Sequence, residues 1–228
     1  MDLARIRSRY AATMLAAAVA ILAPVLRADA AEDIVGYFKQ YYQQQVLGNS
    51  YKGPLDFLQN SAAQHLSADQ VLVTSKARAV IEDRRNGYLQ ISDSSDTDET
   101  LTMATYRRAD GSSLLVVGSS DCADGCSFAV EFFTPSGGRL DPVAAERVVP
   151  TIPSAEFIKP GSHAPKEIGL TDPEINYVPA RVGTSLKLSP WYGYEAEEQM
   201  EEAKTRSAVR DVVLSWDKSQ GRFVESKP

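Results

Sequence analysis

The sequence predicts an α+β domain in which N-terminal helices pack on an antiparallel β-meander, followed by a proline-rich irregular segment and one late charged helix. Three observations predict it. Apolar residues recur at three- and four-residue spacing from Ile34 to Val46, and the spacing changes to two from Tyr88 onward. Seven of the twelve prolines then fall between Pro150 and Pro190. The first pattern makes one apolar helix face, and the second makes one apolar strand face. The third removes backbone donors and forbids central strand positions.

The first thirty residues read as an export signal. Arg5, Arg7 and Arg9 precede an apolar run from Ala11 to Leu26, and Ala28-Asp29-Ala30 supplies the small-x-small pattern of a signal-peptidase site. That run falls short of the ~20 apolar residues that span a bilayer, so cleavage before Ala31 is expected rather than anchoring. The expected mature chain, residues 31–228, forms one domain: a helical part (31–86), the meander (87–149), the proline-rich segment (150–190), then a helix and terminal hairpin (191–228). Losing residues 1–30 removes four arginines and two aspartates, taking the formal net charge from −6 to −8. An acidic chain without a basic block is a poor ligand for nucleic acid or anionic lipid, because both need clustered cations. No later segment is apolar enough to cross a membrane. A soluble periplasmic or secreted product is the expectation.

Within the helical part, "DIVGYFKQYYQQQV" places Ile34, Val35, Tyr37, Phe38, Tyr41, Tyr42 and Val46 on one face, with Glu32 and Asp33 at the positive end of the dipole. A second helix is expected from Pro54 through Leu58. A third is expected after Thr74 or Ser75, using Ala77, Val80 and Ile81 and ending at Asn86-Gly87. The same Asn-Gly is also a hairpin signal between two strands. From Tyr88, strands are expected at Leu89–Ile91, Leu101–Tyr106, Leu114–Val117 and Phe128–Phe132. The run Leu114–Val117, apolar on both faces, reads as a central strand covered on both sides. In the proline-rich stretch only an edge strand at Ile175–Val178 is expected, with another strand at Thr184–Leu188. "YEAEEQMEEAKTRSAVR" carries acids early and bases late, as the helix dipole favours. Val212, Leu214, Trp216 and Phe223 close the chain in a hairpin.

"SSDCADGCS" holds the two cysteines, Cys122 and Cys126. Strand-like runs flank it, and Gly125 fills the third slot of a three-residue hairpin loop, where a left-handed residue is wanted. The cysteines then become the cross-strand pair that closes the loop. An oxidising compartment lets the disulfide form and persist, contributing roughly 2 kcal/mol on the entropic account. A redox pair wants Cys-x-x-Cys at a helix start, and a metal site wants further soft or imidazole ligands. The two histidines, His65 and His163, lack partner cysteines, so no metal and no cofactor is expected.

Other chemistry is thin. Asp93, Asp96, Asp98 and Glu99 bunch in "SDSSDTDET" but lack the glycine and distal glutamate of a calcium loop. His163 beside Ser162 shows no nucleophile elbow, so no catalytic residue is assigned. "SPWYGYE" gathers Trp191, Tyr192 and Tyr194, aromatics of the kind enriched at contact surfaces. The functional expectation is an exported, non-catalytic binding or accessory protein meeting a protein or glycan partner of the cell envelope through the proline-rich stretch and these aromatics. The alternative is an envelope hydrolase using a carboxylate pair.

Overall fold

The computed structural model describes residues 33–45, 71–73, 78–93, 99–122, 125–162, 172–192 and 208–226. They form three layers: one helix, a seven-stranded sheet and a four-stranded sheet. Helix α1 spans Ile34–Gln45. The first sheet runs in chain order through β1 (Val71–Val73), β2 (Arg78–Asp83), β3 (Tyr88–Asp93), β4 (Thr100–Arg107), β5 (Ser113–Asp121), β6 (Ser127–Ser136) and β7 (Arg139–Pro142), all antiparallel. A four-residue helix α2 (Ala145–Val148) and a 3-10 turn (Ser154–Phe157) lead to the second sheet. Its strands are β8 (Glu174–Pro179), β9 (Ser185–Trp191), β10 (Val212–Asp217) and β11 (Arg222–Glu225), ordered β11-β10-β9-β8.

The α+β expectation with several N-terminal helices is thereby corrected: the described chain is mostly β, two antiparallel sheets with one substantial helix. One strand was misread as a helix, for a physical reason. The stretch expected as a third helix contains β2, which pairs with β3 across the Asn86-Gly87 turn, where Gly87 takes φ +64°. Val80 and Ile81 were adjacent apolar residues that mimicked a helix face. In the strand they point to opposite sides of a sheet buried on both, Val80 under α1 and Ile81 towards the second sheet. In the proline-rich segment β8 is the edge strand expected at Ile175–Val178 and β9 takes in the strand expected at Thr184–Leu188; together they make half of the second sheet. Pro179 is tolerated because β8 is an edge strand, and Pro190 because it lies beyond the part of β9 that pairs with β10. The expected helix at Pro54–Leu58 and most of the late charged helix lie outside the described residues.

The faces of the first sheet explain its stability. Asp33 caps α1 by accepting the Gly36 amide at 3.0 Å. Ile34, Val35, Tyr37, Phe38 and Tyr41 then pack on Val80, Leu89, Ile91, Leu101, Met103, Leu115, Val117, Phe133 and Leu140. The alternate residues Tyr88, Ala104, Tyr106, Leu114, Val116 and Phe132 face the second sheet and meet Leu186, Leu188, Leu214, Trp216 and Phe223. Both faces of the central strands are therefore apolar, as the run Leu114–Val117 suggested.

One buried charge joins the sheets. Asp83 accepts the Asn86 amide at 3.2 Å and its side-chain NH2 at 2.9 Å, and pairs with Arg181 Nε at 3.2 Å. Burial pushes the Asp83 carboxyl up, but these bonds outweigh it and hold it below the usual carboxylate range. Asp83→Ala removes the acceptor of the Asn86 donors and one partner of Arg181, and is expected to cost about 2 to 3 kcal/mol. Because the native value is depressed, Asp83 contributes its full stability above about pH 4, where the unfolded carboxyl ionises. The contribution disappears as pH falls through the lower native value. Urea midpoints measured from pH 7 down to pH 3 should fall more steeply for the native chain than for Asp83→Asn. Parallel slopes would mean the carboxylate adds nothing.

Candidate functional site

Two sequence-predicted features come together at one end of the sheets. Strands β5 and β6 pair from Leu115↔Phe133 outward to Asp121↔Ser127, and the next pair beyond is Cys122 and Cys126. They form a disulfide with their Cα atoms 4.0 Å apart. Gly125 takes φ +133°, backbone that an L side chain rarely adopts, which is why glycine precedes the second cysteine. Trp191 ends β9 opposite Glu174 of β8, and its ring meets Phe128 edge-to-face at 6.0 Å. Phe128 stands two residues after Cys126, so the tryptophan lies beside the bridged hairpin tip. Trp191 and Tyr192 are half-buried, and burial pushes the Tyr192 hydroxyl pKa up. Asp93 ends β3 and Glu99 directly precedes β4, which puts them at this same end. Tyr194, His65, His163, Asp96 and Asp98 lie outside the described residues.

A second feature has no local signal in the sequence. A cleft of about 400 Å³ opens between α1 and the β6–β7 edge, lined by Tyr41, Val130, Glu131, Phe133, Pro142 and Val143 among others. Helix α1 builds one wall because Tyr41 and Gln44 sit three residues apart on its sheet-facing side. Tyr41 donates its hydroxyl to Glu131 at 2.5 Å, and its ring meets Phe133 edge-to-face at 5.8 Å. Gln44 accepts the Leu140 amide at 2.9 Å and donates to the Leu140 carbonyl at 3.4 Å. The glutamine amide thus occupies the place of a neighbouring strand on the edge of β7.

The pairing of β6 with β7 is short. It covers Phe133↔Pro142 to Ser136↔Arg139, with Val143 donating to the Phe132 carbonyl at 2.8 Å. In an antiparallel ladder, alternate residues direct their backbone groups to alternate neighbours. Phe132 directs its carbonyl outward, so Val130 and Phe128 present their N–H and C=O outward too. Among the described residues nothing pairs with that edge. It runs from the bridged tip, past Phe128, into the cleft at Val130 and Glu131.

Glu131 is the one carboxylate among the described residues that line the cleft. Among the described residues there is no cluster of three or more histidine, cysteine or acidic side chains placed to hold a metal. No described helix is long and apolar enough to cross a membrane.

No family model and no curated protein matches this chain. Its fold is similar to a domain of an uncharacterized protein from Porphyromonas gingivalis W83, with a TM-score of 0.58 over 86% of this chain and 96% of that one, at 18% identity. The likeness extends across nearly all of that domain, so the mostly-β architecture stands as a recurrent fold rather than the helix-rich one first expected.

Proposed function

We propose that this chain is an exported, non-catalytic binding or accessory domain that meets a protein or glycan partner of the cell envelope. The contact surface on this reading is the end carrying Trp191, Tyr192 and Phe128, together with the adjoining outer edge of β6. One observation carries the proposal: the half-buried aromatics and the disulfide-bridged tip converge on the same end as the edge of β6 that no described strand pairs. Such aromatics contribute contact area with few rotamers to freeze, and a bridged tip keeps the neighbouring backbone in place before a partner arrives. The arginine-led apolar leader and the Cys122–Cys126 bridge support export, since disulfides persist in oxidising compartments.

The test uses the mature chain, residues 31–228, immobilised and exposed to envelope extract. The Trp191→Ala/Tyr192→Ala variant is expected to lose the partner while its thermal midpoint drops only by the few degrees that about 1 kcal/mol implies. Undiminished capture by the variant would refute the surface. A chain retained in the cytoplasm with residues 1–30 intact would refute export.

A further inference from the structure

We propose that Asn86 is a site of spontaneous deamidation gated by Asp83: local opening of the β2–β3 turn releases the reaction, and the product keeps the turn from closing as before. Asn86 is the one asparagine in the chain followed by glycine. It is exposed in that turn, so water reaches it. In the reaction the Gly87 backbone nitrogen gives up its proton, and its electron pair forms a bond to the Asn86 side-chain carbon Cγ. The Cγ–Nδ2 bond breaks, and Nδ2 takes up a proton and leaves as ammonia. Water then opens the resulting cyclic imide at either carbonyl, which leaves aspartate or isoaspartate at position 86. Glycine matters because a side chain on the attacking residue crowds this ring closure. Here the fold requires the glycine: Gly87 takes φ +64°, and a Cβ there would run into the Thr105 hydroxyl. The chain cannot shield Asn86 with a bulkier neighbour and keep this turn.

Protection comes from the residues that precede Asn86. Asp83 accepts the Asn86 amide at 3.2 Å and Nδ2 at 2.9 Å, which turns the side chain back along the chain and away from Gly87. The Gly87 N–H is bonded to the Arg84 carbonyl at 3.2 Å, and that bond must break before the nitrogen can lose its proton. A carboxylate held this close also disfavours the negative charge that develops on the nitrogen. Arg181 Nε bonds the same carboxylate at 3.2 Å, so the gate is held from the loop between β8 and β9 as well. Reaction therefore needs the turn to open. Either product then carries a carboxylate beside Asp83 in place of a donor, and two like charges there repel. Isoaspartate also adds a methylene to the main chain next to Gly87, whose carbonyl accepts the Thr105 amide at 2.9 Å. The modified turn fits neither Asp83 nor β4 as the original does.

The purified protein is incubated at mildly alkaline pH, in buffer and in urea. The peptide holding Asn86 is followed by mass spectrometry, with chromatography to separate aspartate from isoaspartate. Conversion in urea above the unfolding midpoint should be at least about tenfold faster than in buffer, because only the open fraction of the folded chain reacts. Asp83→Ala should convert at least about fivefold faster than the native chain in buffer, and equally fast in unfolding urea. Below each midpoint the rate should stay flat against urea, since opening one turn exposes little surface. Asn176, followed by tyrosine in β8, is the internal control and should stay intact over the same period. Asn86→Asp, which carries the charge of one product, should lower the thermal midpoint more than Asn86→Ala, which loses the side-chain bond without adding charge. Equal rates in buffer and urea, or no acceleration in Asp83→Ala, would overturn the gate. A rate that climbs with the globally unfolded fraction would overturn it too, since local opening then plays no part. Matching midpoints for Asn86→Asp and Asn86→Ala would overturn the claimed effect of the product on the turn.

Discussion

Phe223→Ala is expected to destabilise the domain by about 3 to 5 kcal/mol, the range for removing a fully buried aromatic ring. Phe223 of β11 is fully buried where the outer strands of the second sheet close on the first. Its ring lies edge-to-face with Tyr106 at 4.8 Å and with Trp216 at 5.1 Å. These neighbours are themselves tied down: Tyr106 donates to the Ser185 carbonyl at 2.9 Å, and Trp216 Nε1 donates to the Arg107 carbonyl at 2.8 Å. They are held in place and cannot collapse into the vacated volume, so the cavity term adds to the lost transfer energy. Burial also raises the Tyr106 hydroxyl pKa far above its usual value, so the ring stays neutral at any working pH. Urea unfolding should show the lower midpoint with an unchanged slope. A loss under about 1.5 kcal/mol would mean the two sheets repack around the gap.

Gly118→Val should do comparable damage by adding atoms. Gly118 sits in β5 on the side turned to the second sheet, and a Cβ built there would stand 2.6 Å from the Tyr177 carbonyl oxygen. That neighbour is backbone of β8, so no rotamer change relieves the clash and the edge strand must shift. Pro179 Cδ, 3.7 Å away, blocks the other direction. Overpacking costs typically about 1 to 3 kcal/mol, and the two extra methyls of valine put this substitution at the upper end. Ser119→Ala, one residue on and facing the other side, is the control and should change stability by no more than about 0.5 kcal/mol. Differential scanning calorimetry distinguishes them. Matching midpoints for Gly118→Val and Ser119→Ala would show that the sheets do not approach this closely.

Much of the local structure was legible from local chemistry. Helix α1 follows from the spacing of Ile34, Phe38 and Tyr41 and from Asp33 as its cap. Strands β4 to β6 follow from period-two patterning and from the apolar run at Leu114–Val117. The bridged turn follows from two cysteines, the intervening residues and Gly125. Each of these depends on residues close in sequence, so period, turn chemistry and capping suffice to read it.

The candidate site was legible only in part. Trp191 and the cysteine pair stood out by residue type, but nothing in their spacing said that Phe128 would bring them together. Tyr41 was legible only as part of a helix face, and Gln44 and Glu131 carried no signal: Tyr41 and Glu131 are 90 residues apart, and Gln44 bonds backbone 96 residues away. Such contacts exist only once the meander has brought β6 and β7 under the helix.

What the sequence by itself determined, then, is the set of segments and turns whose energetics close over a few residues: α1, the central strands and the stapled hairpin. What only the tertiary structure decided is which faces those segments bury. Val80 and Ile81 read as a helix face because burial on both sides of a sheet erases the period of two. In the proline-rich stretch the strands at Ile175–Val178 and Thr184–Leu188 were legible, but not that they would form half of a second sheet. Both outcomes depend on a second sheet covering the first, a long-range packing event in which burial of apolar area outweighs local propensity.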